Sequence, residues 1–171
     1  MTEFDPQALL QLLHRHDVHY VLIGGLAAAL RGSATPTFDV DITPEASSGN
    51  LARLSEALTD LDARIRVDGI PDGLPFAHDA ASLASMRMLN LVTRLGDLDI
   101  ALEPAGVTDY AQWEAGADSV TVLGIPVQVA SLESIIRSKE AANRSKDRVQ
   151  LPMLRALLQR QHPPAGPTSN T

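Results

Sequence analysis

Residues Phe38-Asp-Val-Asp-Ile42 constrain this chain more tightly than any other segment. Side chains of a strand alternate between its two faces, so Asp39 and Asp41 point the same way. Phe38, Val40 and Ile42 then point into the core. Two carboxylates side by side on such a strand repel, and one is driven neutral unless a cation lies between them. Turn-forming residues bound the segment, with Arg31-Gly-Ser-Ala-Thr-Pro-Thr37 before it and Thr43-Pro44 after it. An Asp-x-Asp pair alone fits equally a strand with one wetted face. Its meaning depends on what the rest of the chain brings beside it.

Three further features bear on that question. Tyr20-Val-Leu-Ile23 reads as a short buried strand that stops at Gly24-Gly25, after which Leu26 to Arg31 has helix-forming residues. A glycine turn opening a helix lets backbone N–H groups approach phosphate closely. The run is neither Gly-x-Gly-x-x-Gly nor a Walker loop, so neither a dinucleotide fold nor a P-loop ATPase is implied. Leu98-Asp-Ile-Ala-Leu102 places Asp99 within an apolar strand, where a charge requires a partner or a metal. Asp97 falls in the hairpin turn expected at Leu95-Gly96-Asp97 and reads as solvated. Finally, a helix capped by Ser131 carries Leu132, Ile135 and Ile136 inward, and Lys139 continues that stripe. Lys139 either points into a site or snorkels from the end of the stripe. Asp147 stands four residues before Leu151 and seven before Leu154, which places it on the inward face of the last helix.

Together these parts describe a site with a glycine turn for phosphates, three carboxylates for a divalent metal and a lysine for developing charge. Hard carboxylate oxygens favour Mg²⁺, or Mn²⁺, with substrate phosphates completing the shell. Two such ions can clamp the attacking and leaving oxygens of an in-line displacement. Thr37 shares strand parity with Asp39 and Asp41, so its hydroxyl points towards the same place. A phosphate there would add about -1.5 to -2 charges and close the site, which makes Thr37 a candidate regulatory phosphosite.

The remaining order is that of a mixed α/β (α+β) domain ending in a helical pair. Helices are expected at Pro6–His16, with Asp5 as cap, at Gly49–Asp60, and from Ser131 through about Asn143 and on to Gln161. Strands are expected at 88–93, 98–102, 120–123 and 125–129, and residues 71–78 read as a loop. One domain spans 1–161, with its helical part at 131–161, and a disordered tail follows at 162–171. An apolar share of 44% in 171 residues supports a real core. The chain has no cysteine, which excludes disulfides and thiolate chemistry. No apolar run approaches the roughly 20 residues of a membrane span, and the acidic start is unlike a secretory signal. These features lead us to expect a cytoplasmic protein without membrane contact. A net charge of -7 argues against coating nucleic acid through overall charge. Even so, seven of the fourteen Lys and Arg residues lie between Arg137 and Arg160. That basic segment fits a bound polyanion or a solvated helix face.

The pattern resembles the nucleotidyltransferase superfamily, in which a strand ends in Gly-Gly or Gly-Ser, the next carries Asp-x-Asp, and a later one carries a third Asp. Leu22-Ile-Gly-Gly25, the run from Arg31 through Thr37 to Asp39 and Asp41, and Gly96-Asp-Leu-Asp99 are most similar to AbiEii-type toxins, which include the MenT branch. Ser138-Lys139, Arg144 and Lys146-Asp147 extend the likeness, which covers about residues 18–158. Gly25 stands where a serine is common, and Thr35 where an arginine is usual. The resemblance implies a nucleotidyltransferase fold, a mixed sheet flanked by helices. It implies transfer of a nucleoside monophosphate from an NTP, with pyrophosphate released and a pyrimidine favoured. Asp39, Asp41 and Asp99 would hold metal, and Asp99 would help deprotonate the acceptor. Gly24, Gly25, Lys139 and Arg144 would bind the nucleotide, with Asp147 orienting Lys139 or Arg144. The implied acceptor is the 3′ end of tRNA, blocked for aminoacylation. A cognate antitoxin is the implied partner, and the free protein is expected to be a monomer. Two rival readings remain: an antibiotic or protein adenylyltransferase, and a catalytically inactive nucleotidyltransferase-fold binding module.

Overall fold

A computed structural model describes residues 3–103 and 110–163. From residue 164 onward, the tail expected to be disordered lies outside them. Helix α1 (Pro6–Arg15) begins where Asp5 accepts a hydrogen bond from the Ala8 N–H at 2.9 Å and Pro6 occupies the first turn. Strand β1 (Tyr20–Ile23) runs straight into α2 (Gly24–Leu30), and β2 (Asp39–Pro44) returns antiparallel to β1. Helix α3 (Ser48–Asp60) is capped by the Ser47 hydroxyl. Beyond it come β3 (Arg64–Val67), β4 (Ile70–Leu74), α4 (Ala80–Ala84), β5 (Met88–Thr93) and β6 (Gly96–Ala101). The last elements are α5 (Tyr110–Ala115), β7 (Asp118–Val122), β8 (Ile125–Val129), α6 (Leu132–Ala142) and α7 (Ser145–Gln161).

The eight strands form one mixed sheet in the order β4-β3-β5-β6-β2-β1-β8-β7. Strand β2 lies at its centre, antiparallel to β1 and parallel to β6. Val40, Ile42, Leu98 and Ile100 are fully buried and join the leucines of α1 and α3 in one core. That burial fixes the face on which the intervening acids emerge, because a slip of one residue would drive them into the core.

Three local expectations need correction. Phe38 is 75% exposed, because β2 starts one residue later and the preceding loop turns the ring outward. Residues 70–74 form a strand instead of part of a loop: Val67 and Ile70 close a tight hairpin over Asp68-Gly69, with Gly69 at φ +81. Pro71 fits there because β4 is the sheet's edge strand. The β5–β6 turn is Arg94-Leu95, so Asp97 belongs to the ladder, opposite Val92.

Asn50 is a buried polar residue that periodicity could not single out. Its side chain accepts from the His19 N–H at 2.7 Å and donates to the His19 and Glu45 carbonyls at 2.8 Å each, tying α3 to the strand ends beside it. Asn50→Ala removes the partner of the His19 N–H and of the Glu45 carbonyl, while the His19 carbonyl keeps the Glu45 N–H, and should cost about 2 kcal/mol. Urea unfolding checks this, and a midpoint unchanged from wild type would refute it.

Candidate active site

The parallel register of β2 and β6 sets Asp39 beside Asp97 and Asp41 beside Asp99. Four carboxylates therefore stand on one face of two adjacent strands. Asp39, Asp41 and Asp99 each offer an oxygen within 4.8 Å of the others. Asp97 is instead drawn to Arg66 of β3, whose guanidinium donates to Asp97 at 2.5 Å and to Asp99 at 2.8 Å. Asp97 is thus ion-paired and not simply solvated. Arg66 was missed because the Arg-x-Arg of β3 resembles any half-exposed strand; the Asp68-Gly69 turn signals the β3–β4 hairpin but not this contact.

One arginine leaves the cluster short of positive charge. Burial, then the neighbouring Asp39 and Asp99 carboxylates, push the Asp41 carboxyl up to about 7, against weaker pulls from Lys146 and the Gly25 N–H. Burial also raises Asp99, with Arg66 opposing and Asp39 adding to the rise. Three hard oxygen donors at this spacing, two of them held above their ordinary pKa, fit a divalent cation such as Mg²⁺ or Mn²⁺.

The glycine turn is dictated by the same carboxylates. Gly24 has φ +68, and a Cβ there would collide with the Asp41 carboxylate. At Gly25 a Cβ would lie 2.7 Å from the Thr37 hydroxyl, which donates to Asp39 at 2.8 Å. Thr37 therefore points to the site, as expected, although it precedes β2 and is held there by its bond to Asp39 and not by strand parity.

Helices α6 and α7 supply the cations. Asp147 is fully buried and receives Lys139 Nζ at 3.2 Å and Arg144 Nε at 2.7 Å. Burial alone would raise its pKa, but the hydrogen bonds from Arg144 and Lys139 hold it below the ordinary value. Lys139 also donates to Gln150 at 2.8 Å and is 9% exposed, so it faces inward along its stripe but is tightly held. Asp147 orients both Lys139 and Arg144. Lys146 lines the polar cavity and lies near enough to Asp41 to pull its pKa down.

Two cavities meet at Gly24, Asp41, Lys139 and Arg144. The polar one, about 250 Å³, contains Gly25, Thr37, Asp39 and Lys146. The other, about 230 Å³, has Asp99 and Asn90 at its polar end and Ile23, Met88, Trp113 and Ile135 among its walls. Trp113 in that wall was not anticipated from the sequence.

No family model matches the chain, and no curated protein matches it in sequence. Solved structures do. The lincosamide antibiotic adenylyltransferase LnuA, solved with lincomycin bound, superposes with a TM-score of 0.59 at 16% identity, covering 91% of this chain and 99% of that one. ANT(2″)-Ia, in complex with adenylyl-2″-tobramycin, gives 0.55 at 16% identity, over 90% and 87%. A candidate nucleotidyltransferase from Thermotoga maritima gives 0.50 at 16% identity, over 93% and 97%. The chain has the nucleotidyltransferase fold. Among the described residues, no helix is long and apolar enough to cross a membrane.

A raised Asp41 pKa has a definite thermodynamic sign. Between its unfolded value of 3.8 and about 7 the folded protein holds the extra proton, so this group's contribution to stability is lost as pH rises through 7. A divalent cation needs the deprotonated carboxyl. Millimolar Mn²⁺ should therefore raise Tm more at pH 8 than at pH 5.5, and less in Asp41→Asn. Equal shifts at both pH values in scanning fluorimetry would refute this.

Proposed function

We propose that the protein transfers a nucleoside monophosphate from an NTP to an acceptor hydroxyl, releasing pyrophosphate. The observation that carries this reading is the approach of Asp39, Asp41 and Asp99 to within 4.8 Å on a nucleotidyltransferase fold. Mg²⁺ or Mn²⁺ held by these carboxylates would supply charge neutralisation at the phosphates and at the acceptor oxygen.

The chain's own residues divide the remaining work. The Gly24-Gly25 backbone lines the polar cavity, where it would lie beside the phosphates, with the Gly25 N–H bonded to Asp41. Arg144 and Lys146 stand at the polar cavity to balance the charge of the departing pyrophosphate. Lys139, fixed by Asp147 and Gln150, adds positive charge where the two cavities join. Asp99 faces the second cavity and accepts the proton of the acceptor hydroxyl as its oxygen bonds to the α-phosphorus and the bond to pyrophosphate breaks. A binding module without turnover has no use for such mutual repulsion, which disfavours that reading.

Our first reading of the acceptor is the 3′ end of tRNA in the cytoplasm, with toxicity held off by an antitoxin. Exposed Arg137, Lys146 and Arg148 on α6 and α7 support it as a polyanion-facing surface. The second reading is a compact hydroxylated molecule, including an antibiotic. The apolar walls beside Asp99 support that one, as do the lincomycin and tobramycin ligands of the neighbouring structures. Thr37 is the proposed point of regulation in either case. A phosphate on it would sit where its hydroxyl now meets Asp39 and would compete with the NTP for cations.

Labelled NTPs, offered with total tRNA and with a panel of small hydroxyl compounds, distinguish the two readings by where the label appears. Asp41→Asn and Asp99→Asn should each lower transfer on the order of 10²–10³-fold, because these charges act on the transition state. A folded, NTP-binding wild type that labels no acceptor, or either variant transferring at the wild-type rate, would refute the assignment.

A further inference from the structure

Phe38 has no role in the fold. Its ring is 75% exposed, and β2 begins only at Asp39, so the residue takes no part in the ladder. Parity with Val40 and Ile42 would have buried it, yet the loop running up from Thr35 and Pro36 turns it outward. The ring lands at the polar cavity, among the residues that line it. The chain has three Phe, two Tyr and one Trp, and none of the other five lines that cavity. Phe4 packs over Gly96, Phe76 tilts against His78, Tyr20 and Trp113 are buried, and Tyr110 shares a separate cavity with Tyr20.

Besides Phe38, the polar cavity is lined by Gly25, Lys146, Asp39 and Asp41 and by the smaller apolar side chains of Ala28, Pro36 and the buried Leu154, none of them aromatic. A nucleotide whose phosphates occupied it would need a flat apolar surface at the rim, and one phenyl ring adjoining Asp39 meets that need. Aromatic rings serve every base as a stacking platform, because each base has a π-face.

We infer that Phe38 is the stacking platform for the nucleobase of the donor NTP. The inference rests on the proposed NTP site. It makes Phe38 a determinant of nucleotide affinity that touches the base and leaves phosphate binding to other residues. Stacking reads the π-face and no hydrogen-bonding edge, so Phe38 by itself gives little choice among the four bases.

Calorimetry with a non-hydrolysable α,β-methylene NTP and Mg²⁺, run beside inorganic tripolyphosphate and Mg²⁺, separates base from phosphate. Phe38→Ala should weaken nucleotide binding roughly tenfold while leaving tripolyphosphate affinity and Tm unchanged. Phe38→Trp should restore nucleotide affinity, with indole fluorescence quenched by the nucleotide and not by tripolyphosphate. Three outcomes would overturn the assignment. Wild-type nucleotide affinity in Phe38→Ala would leave the ring to some other use, such as partner docking. An equal loss of both ligands would mark a general disturbance of the cavity. A wild type that binds neither ligand would remove the NTP site itself, and the stacking platform with it.

Discussion

Repulsion among the carboxylates of β2 and β6 is the constraint around which this structure is arranged. Parallel pairing of the two strands brings Asp41 beside Asp99 and Asp39 beside Asp97, and the fully buried Val40, Ile42, Leu98 and Ile100 on the opposite face forbid any slip that would relieve it. A charge concentrated in this way is tolerated only with compensation. Arg66 supplies part of it by bridging Asp97 and Asp99. The rest shows in the Asp41 and Asp99 carboxyls, which burial and their neighbours raise above their ordinary pKa values. A cation bound as proposed would compensate the same charge.

The same constraint shapes the backbone around the cluster. Asp41 leaves no space for a Cβ at Gly24, and Thr37 leaves none at Gly25. The glycines therefore do more than permit a tight turn. They let α2 start within reach of the carboxylates, where the Gly25 N–H bonds to Asp41. On the other side, Asp147 holds Lys139 and Arg144 at fixed distances from one buried carboxylate. A buried ion pair of this kind contributes little net stability against an apolar replacement, whereas removing one partner alone is costly. Its two cations, Lys139 and Arg144, both line the junction of the two cavities.

Much of this was legible in the sequence, and the failures have physical causes. The Asp-x-Asp alternation and the Leu132-Ile135-Ile136-Lys139 stripe read correctly because burial on one face enforces a period, and the Gly-Gly stop because it ends a strand buried at every residue. Asp147 was placed inward by the same logic, although Pro152 lies within α7. What could not be read were contacts between elements distant in sequence. Arg66 reaches Asp99 across 33 positions, and Asn50 bridges the His19 and Glu45 backbones. No local pattern encodes either. Strand β4 was hidden by Pro71 and Gly73, residues that an edge strand accepts and a central strand does not. Phe38 failed differently: alternation was extended one residue beyond the strand's real start.

The division of the site into two cavities bears on what the protein can choose between. Gly25, Thr37, Asp39 and Lys146 belong to one side, Asp99 and the apolar walls to the other, and Asp41 is common to both. Under the proposed transfer, the donor side is built mainly from charge and backbone, which suits a triphosphate whatever its base. The acceptor side is built from shape: Ile23, Met88, Trp113 and Ile135 can select by fit. Discrimination between acceptors should therefore be stronger than discrimination between nucleotides. Changing the walls of the second cavity is the route by which one carboxylate cluster could serve different acceptors without altering its chemistry. The nucleic-acid and small-molecule readings differ in the same place. A polyanion would approach along the exposed cations of α6 and α7 and insert only its terminal ribose and base, whereas a compact acceptor would be enclosed by the walls themselves.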